Sequence, residues 1–384
     1  MSIKILSLCS SLSNAAGGVF EVQKSLAKHG KQFGIETIAA GIQDARWAKD
    51  RDDWEDIDAR VFPSEFPKFY RNSPSLMRFA RSEQSSLDVL HLHGLWLFPS
   101  YVAYRLQKDF QKPVVISPHG MLDRWALANK GWKKKLAMIL FERQLFKNAT
   151  CFHVQSESEL NDVRRLGFKN PAVIIPNGVD IYPTREQHNR RKEVVFLGRL
   201  HPKKGLAQLI QAWKLFAPEF LGDWKLRIIG WDDGGHEKYL RTLVDALGLS
   251  NSVSIDGPKF GEDKKQAFKE ARGFILPSFS EGLPMAVLEA WESGLAVLMT
   301  DHCNLQIGFD KDAAIRIEPT VNSIQEGLKA FFSISEAEQS AIGERGRRLV
   351  ERHFSWDDVA SRLSQTYRWI LNLEAKPDFV RTDA

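Results

Sequence analysis

The sequence predicts an α/β fold of two Rossmann-like, doubly wound domains, each built around a parallel sheet. Three observations carry that prediction. Short β-rich runs alternate with stretches of helical spacing from one end of the chain to the other, as parallel strands joined by right-handed crossovers require. The runs fall into two series separated by turn chemistry and a polar stretch. The chain has 384 residues, too many for one ordinary core and natural for two.

The first series lies at 3–8, 36–40, 88–92, 113–117, 150–154 and 172–175. It is rich in Ile, Val and Leu, as strands buried on both faces are. Helical spacing at 21–29 supplies the first crossover. Ile175-Pro176-Asn177-Gly178 then closes the series, because Asn-Gly after Pro is turn chemistry. The polar residues 182–192 read as linker, so a first domain is expected at 1–178 and a linker at 179–192. The second series lies at 193–197, 225–229, 252–255, 273–276, 295–299 and 314–317, with helical spacing at 206–216 and 238–247, and defines a second domain at 193–355. A final helix over 356–373 follows a start signal at Ser355, leaving 356–384 as terminal helix and tail.

Composition narrows the function classes. With 43% hydrophobic and 26% charged residues the chain reads as globular. No apolar run reaches the ~18–20 residues of a membrane span, and the N-terminus reads as a strand rather than a signal peptide. Cys9, Cys151 and Cys303 lie far apart without metal-ligand spacing, which suits reduced thiols in a cytoplasmic protein. Charge is uneven: residues 1–178 hold 25 Lys/Arg and 18 Asp/Glu, a net +7, and the remainder is −2. A basic first half suits an anionic partner or an ordinary charged surface. Nucleic acid is not expected, since no basic-aromatic stacking motif is present.

The chemistry-bearing motifs sit at strand ends. Ser278 to Gly294 places Glu281 in a Gly/Pro loop and Glu289 eight positions on, along the following helix. Such a loop presents a carboxylate beside free helix-start amides, where the dipole favours phosphate. Two turns later a second carboxylate can accept hydrogen bonds from a diol such as a ribose. Gly198-Arg199 ends one strand, and Lys203-Lys204-Gly205 precedes the next helix. Arg offers a planar fork to phosphate oxygens and Lys a movable point charge, and Lys203 is read as the neighbour facing water. Gly17-Gly18 permits close backbone approach to a ligand after the first strand. His119-Gly120 and His91-Leu92-His93-Gly94-Leu95-Trp96 follow two further strands. A histidine at a site mouth can exchange one hydrogen bond with a sugar hydroxyl. For His91 and His93, on one side of a strand, an acceptor pocket and interior packing both remain open. Asp56-Ile57-Asp58 lies in a charged loop over 50–60, and Asp232-Asp233-Gly234-Gly235 reads as a turn. Neither has the converging oxygens of a hard-ion site, so no metal is expected. In 131–147, Leu136, Ile139, Leu140 and Phe146 can form an apolar stripe behind Trp132 and three lysines. It is either a core-facing helix or a segment that rests on an anionic membrane.

The Glu-x7-Glu arrangement of Glu281 and Glu289, with the Gly-Arg…Lys set before it, resembles the donor site of the retaining GT-B glycosyltransferases of family 4. The resemblance runs from the Gly-Gly loop to the C-terminal helix, and His119 to Ala126 is similar to enzymes of bacterial surface-polysaccharide or O-antigen assembly. It implies two Rossmann-like domains facing a central cleft, with the C-terminal helix crossing back to the first. It implies that Arg199 and Lys204 hold a departing diphosphate, Glu281 the sugar ring and Glu289 the ribose, with His119 against the donor sugar. Gly17, Gly18, Gly198, Gly230, Gly257, Gly282, Leu283 and Pro284 would complete the donor site, and His91, His93 and Trp96 would serve the acceptor. The expected co-substrate is a GDP- or UDP-sugar with no further cofactor. The expected acceptor is a lipid-linked saccharide, reached from the inner face of the cytoplasmic membrane. Competing readings are a soluble sugar acceptor, a GT-B sugar-nucleotide epimerase and a non-catalytic nucleotide-sugar-binding module.

Overall fold

The computed structural model describes residues 2–128, 131–182, 190–216, 222–232 and 234–382. Residues 183–189 of the expected linker lie outside the described residues, as do Asp233 of the Asp-rich turn and the side chain of Trp132. The chain forms two compact units, residues 1–178 with 356–384, and residues 179–355.

The first unit holds β1 (Ile3–Cys9), β2 (Ile35–Ile42), β3 (Asp58–Phe62), β4 (Val89–His93), β5 (Val114–Ser117), β6 (Cys151–Val154) and β7 (Ala172–Ile174), with β14 (Val380–Arg381) from the chain end. The sheet order is β14-β7-β6-β5-β4-β1-β2-β3, parallel throughout except for β14 against β7. Strand order reverses between β1 and β4, the kind of switch point at which open α/β sheets receive ligands. The terminal helix Trp356–Ile370 belongs to this unit. Its Val359, Leu363 and Tyr367 share a core cluster with Ile3, Val22 and Ile35, and Ser364 donates to the Phe33 carbonyl at 2.9 Å.

The second unit holds β8 (Glu193–Leu197), β9 (Lys225–Ile229), β10 (Val253–Asp256), β11 (Gly273–Leu276), β12 (Ala296–Thr300) and β13 (Ala314–Ile317), all parallel in the order β10-β9-β8-β11-β12-β13. Its switch point falls between β8 and β11. Phe196, Ile228, Phe274, Leu298 and Trp291 fill its core.

Twelve strands lie within two residues of the expected bounds. Two were not anticipated. β3 is an edge strand in the stretch read as a charged loop. It shows Asp58 and Arg60 partly exposed and ion-paired at 2.7 Å, so it lacks an apolar signature. β14 is two residues long and exists only by pairing with β7.

Candidate functional site

At the second unit's switch point, the turn after β8 carries Gly198 and Arg199, with Arg199 exposed, and a 3-10 turn at Pro202–Lys204 carries Lys204. The turn after β11 carries Ser278 to Glu281 and leads into the helix Met285–Glu292. Lys204 and Glu281 meet across the switch point at 2.6 Å, with side chains only 14% and 11% exposed. The pair is therefore shielded from screening, unlike a surface bridge. Glu281 also accepts from Ser278 Oγ at 2.5 Å, and its own amide donates to the His302 carbonyl at 2.9 Å. Asn304 Nδ2 donates to the carbonyls of Glu281 and Gly282 at 2.7 and 3.0 Å. Lys204 and Ser278 thus hold one oxygen of the carboxylate, while His302 and Asn304 hold the backbone that carries it.

Glu289, two turns along the helix, pairs with Lys264 of the helix Gly261–Glu270 at 2.8 Å. Gly282 is exposed, Leu283 half-buried and Pro284 buried at the cap of the Met285 helix. Gly230 ends β9, and a Cβ there would stand 1.8 Å from the Gly198 carbonyl oxygen. At Gly205 a Cβ would stand 2.1 Å from the Pro277 carbonyl oxygen. These glycines let the backbones at the ends of β8, β9 and β11 close on one another. By contrast, a Cβ at Gly257 or Gly282 would meet nothing within 4 Å. Asp232 accepts from the amides of Gly235 and Glu237 at 3.0 and 2.8 Å and so tethers the start of the helix that follows. Beside it, His236 stacks on Tyr239 and its Nε2 is buried with no partner among the described residues.

At the first unit's switch point, Gly17 takes φ +59 between Ser13, which caps a 3-10 turn, and the helix Gly18–Gly30. A Cβ at Gly17 or Gly18 would likewise meet open space. Asp44 accepts from Ser11 and Ser13 and holds the loop shape, which its lowered pKa reflects: these hydrogen bonds outweigh a larger desolvation effect. The second strand end carries histidines. His91 is buried, and both its ring nitrogens are engaged, with Tyr367 at 2.7 Å and Ser117 at 2.8 Å. It lies in the interior, where it and His93 line a small cavity with Ser7, Gln23 and Tyr367. Ser117 bonds His153 Nδ1 at 2.8 Å, and His153 Nε2 reaches the Ile175 carbonyl at 3.0 Å. A carbonyl only accepts, so every proton in this chain is fixed. His153 Nε2–H donates to Ile175, Ser117 to His153, His91 Nε2–H to Ser117, and Tyr367 O–H to His91.

A second chain orients His119. Gln155 Nε2 donates to Asn177 Oδ1 at 2.9 Å and to His119 Nδ1 at 2.8 Å, so His119 carries its proton on Nε2 and donates it to His93 Nδ1 at 3.0 Å. His119 sits at φ +53, rare for a non-glycine residue. The next amide, of Gly120, is gripped by buried Glu159 at 2.6 Å. Burial favours the neutral forms throughout: His91 and His93 fall well below the usual histidine range, and His153 and His119 are pushed down to about 4 and about 3.

Trp96 takes φ +73 and donates its amide to buried Glu142 at 2.7 Å. Burial pushes the Glu142 carboxyl up to about 7. Glu142 Oε2, Trp96 Nε1 and the Tyr70 hydroxyl are buried without a partner among the described residues. Lys264, Ser278, Asn304, Gln155, Glu159 and Glu142 were not anticipated. Ser278 lies in the segment singled out above, though its bond to Glu281 was not foreseen, and the others leave no local mark because each acts through a contact across 23 to 46 positions.

Residues 16–182 match the model of the Glycosyltransferase Family 4 family, and residues 181–349 match that of Glycosyl transferases group 1. WcaL of Escherichia coli K12, which carries the name of a colanic acid biosynthesis glycosyltransferase, is 29% identical over 45% of this chain and 44% of its own length. GDP-mannose:cellobiosyl-diphosphopolyprenol alpha-mannosyltransferase of Xanthomonas campestris is 27% identical over 60% of each chain. This chain thus spans about half the length of the first curated relatives it matches. The structure of Anabaena HepE in complex with UDP and glucose superposes with a TM-score of 0.76 at 17% identity, over 95% of this chain and 99% of that one. With two parallel-sheet units of this topology and a family model matched on each, the chain belongs to the family-4 glycosyltransferases of the GT-B fold.

Proposed function

We propose that this chain is a retaining, metal-independent glycosyltransferase that moves a sugar from a nucleotide-sugar to a lipid-linked saccharide in surface-polysaccharide assembly. The observation that carries the reading is the shielded Lys204–Glu281 pair across the second unit's switch point, with Arg199 and the Glu289–Lys264 pair on neighbouring elements. The relatives named for colanic acid biosynthesis and for mannosyl transfer to a diphosphopolyprenol saccharide support this acceptor class. The UDP-bound neighbour and the GDP-mannose-using relative support either nucleotide.

In the reaction the bond between the sugar's anomeric carbon and the diphosphate oxygen breaks, and negative charge grows on the diphosphate. Lys204, Arg199 and the amides at the start of the Met285 helix stabilise that charge electrostatically. The acceptor hydroxyl attacks from the face the diphosphate leaves, and the leaving phosphate takes its proton. Glu281 positions the sugar and offsets positive charge on the ring, while Glu289 accepts from the ribose hydroxyls. Gly198, Gly230, Gly257, Gly282, Leu283 and Pro284 line the nucleotide's path with backbone, and Gly17 and Gly18 allow close approach in the first unit. His119 meets a sugar hydroxyl, Trp96 serves the acceptor, and His91 and His93 act from behind by fixing strand ends and the His119 ring.

The test is transfer of label from UDP- and GDP-sugars to a diphosphopolyprenol saccharide, with and without chelator. Transfer that survives chelation and inverts no anomeric centre is expected. Activity abolished by chelator overturns the metal-independent reading. Epimerised sugar formed without acceptor favours the epimerase instead.

A further inference from the structure

The stretch 131–147 has two apolar faces, and only one is used by the fold. Ala137, Phe141, Leu145 and Phe146 are buried, and Phe141 packs against Tyr70, Tyr101 and Tyr104. That satisfies the core. Leu136, Ile139 and Leu140 are surplus to it and stand 50%, 80% and 66% exposed. Of the two readings left open for Leu136, Ile139, Leu140 and Phe146, the core-facing stripe does not form, since only Phe146 of the four is buried. A π-helical turn over Met138–Glu142 interrupts the helix at this point and shifts the faces relative to one another.

A second segment, distant in sequence, joins this surface. Phe66 and Phe69 are 88% and 69% exposed, and Lys133 lies over the Phe69 ring at 4.9 Å. The Tyr70 ring meets the Phe141 ring beneath at 6.2 Å, so the two segments are anchored to one another through the core. The same two segments carry exposed Lys68, Lys133, Lys135 and Arg143, while Arg71 and Lys134 direct their donors to the carbonyls of Ser10 and Ala126. The acidic residues of these segments are Glu65, which is exposed, and Glu142, which is buried. An exposed apolar patch normally marks an interaction site. Apolar side chains with exposed cations on the same segments match the interface of an anionic bilayer, where acyl chains meet phosphate headgroups.

We propose that the first unit carries a membrane-docking face built jointly by the 66–69 turn and the 136–140 turn, which inserts Phe66, Phe69, Leu136, Ile139 and Leu140 among the headgroups of an anionic bilayer. It deepens the proposed use of a lipid-linked acceptor, which is embedded in a bilayer, and rests on that reading. It does not depend on the sugar or nucleotide used. No helix among the described residues is long and apolar enough to cross a membrane, and this face would lie on one leaflet.

The experiment is flotation of the full chain with vesicles of phosphatidylglycerol and phosphatidylcholine that contain no saccharide acceptor, compared with phosphatidylcholine alone. Binding to the anionic vesicles, weakened by salt, is expected. Ile139→Ser with Leu140→Ser, and separately Phe66→Ser with Phe69→Ser, should each lower partitioning about tenfold or more, given the area these side chains bury. All four residues are exposed, so circular dichroism should be unchanged. Lys133→Gln and Lys135→Gln should each lower it about fivefold. Wild-type-like binding by the apolar variants overturns the proposal, as does equal binding to uncharged vesicles. A dimer in light scattering that the Ile139/Leu140 variant dissociates assigns the patch to self-association and also overturns it. Transfer to a short, water-soluble acceptor analogue is measured alongside. It should persist in every variant, and its loss in the wild-type chain would count against the transferase reading rather than the docking face.

Discussion

The two units share a topology and furnish their switch points in opposite ways. In the second unit the switch point carries full charges arranged as ion pairs, the shielded Lys204–Glu281 pair and the partly exposed Lys264–Glu289 pair on neighbouring helices. In the first unit the corresponding strand ends carry neutral imidazoles whose protons are fixed by a chain running from Tyr367 to the Ile175 carbonyl. A charged switch point can exchange an internal counter-ion for a ligand's phosphate. A neutral, proton-ordered one cannot, because adding charge there is opposed by burial, but it can hold a ring in one orientation. The difference suggests a division of labour within the proposed reaction: charge stabilisation from one unit, orientation from the other.

The sharpest way to break that division is at Lys204 and Glu281. Lys204→Ala should lower transfer about 100- to 1000-fold, the scale of losing one preorganised electrostatic group. Its melting temperature should fall as well, since the Glu281 carboxylate, only 11% exposed, loses its counter-ion and keeps Ser278 as donor. Glu281→Gln should separate two roles. It frees Lys204 from its counter-ion, so a nucleoside diphosphate should bind about tenfold tighter by calorimetry, while transfer falls. Loss of both binding and transfer in Glu281→Gln would mean that the pair is scaffolding rather than a charge held ready for exchange.

Acid should tell the units apart next. His91, His93, His119 and His153 have folded pKa values depressed below the ordinary value of 6.5, to about 3 for His119 and about 4 for His153. An unfolded first unit therefore binds protons below pH 6.5 that the folded one refuses. Stability falls as pH drops from about 6.5 toward 4, by about 1.4 kcal/mol per pH unit for each group that titrates only when unfolded. Glu142 acts in the opposite direction. Its folded pKa is raised from 4.5 to about 7, so its contribution is present at low pH and is lost as pH rises through 7. Four histidines outweigh it, and the net loss between pH 6.5 and 5 should be on the order of a few kcal/mol. Hydrogen exchange at pH 5 should show amides of 1–178 opening ahead of those of 193–355. Simultaneous opening would remove the contrast.

The same contrast explains what could be read from sequence. The charged switch point was legible because its key residues lie in short motifs at strand ends: Gly198-Arg199, Lys204-Gly205 and Glu281 to Glu289. Local order alone puts them at the strand ends and helix start where phosphate binding is proposed. The partners that tune them, Lys264 and Asn304, come from separate elements and leave no local trace. The histidine chain was barely legible for the same reason. His91 and Tyr367 are 276 positions apart, and alternation along β4 says which side His91 faces but not that a C-terminal helix will cover it. For 131–147 the sequence left a core-facing and an outward-facing stripe both open, because it does not show the π-helical turn that shifts the helical spacing and turns Leu136, Ile139 and Leu140 away from buried Phe146. β3 was missed because an edge strand can be polar.

Gly230 provides a smaller test confined to the charged unit. A Cβ there would sit 1.8 Å from the backbone carbonyl of Gly198, an atom that cannot swing aside. Gly230→Ala should therefore push the ends of β8 and β9 apart, at about 1–3 kcal/mol in stability, the usual range for overpacking. Nucleotide affinity should fall with it. Gly257→Ala, where a Cβ meets open space, should leave chemical denaturation unchanged and serves as its control.

The smallest effect is expected at the other end of the comparison. Tyr367→Phe keeps the ring and its packing but deletes the hydroxyl that donates to His91 Nδ1 at 2.7 Å. The orphaned nitrogen is buried, so the cost should be about 1–2 kcal/mol, the range for leaving one neutral acceptor unsatisfied. It can be read from urea denaturation at pH 7.5, above the range in which protonation of the four buried histidines contributes. Because the proton order is fixed at the Ile175 end, the rest of the chain should keep its tautomers, and 15N shifts of His153 should stay in place. If those shifts move, the order is set from Tyr367 instead. The C-terminal helix would then be the element that orients the interior of the first unit, rather than a cover laid upon it.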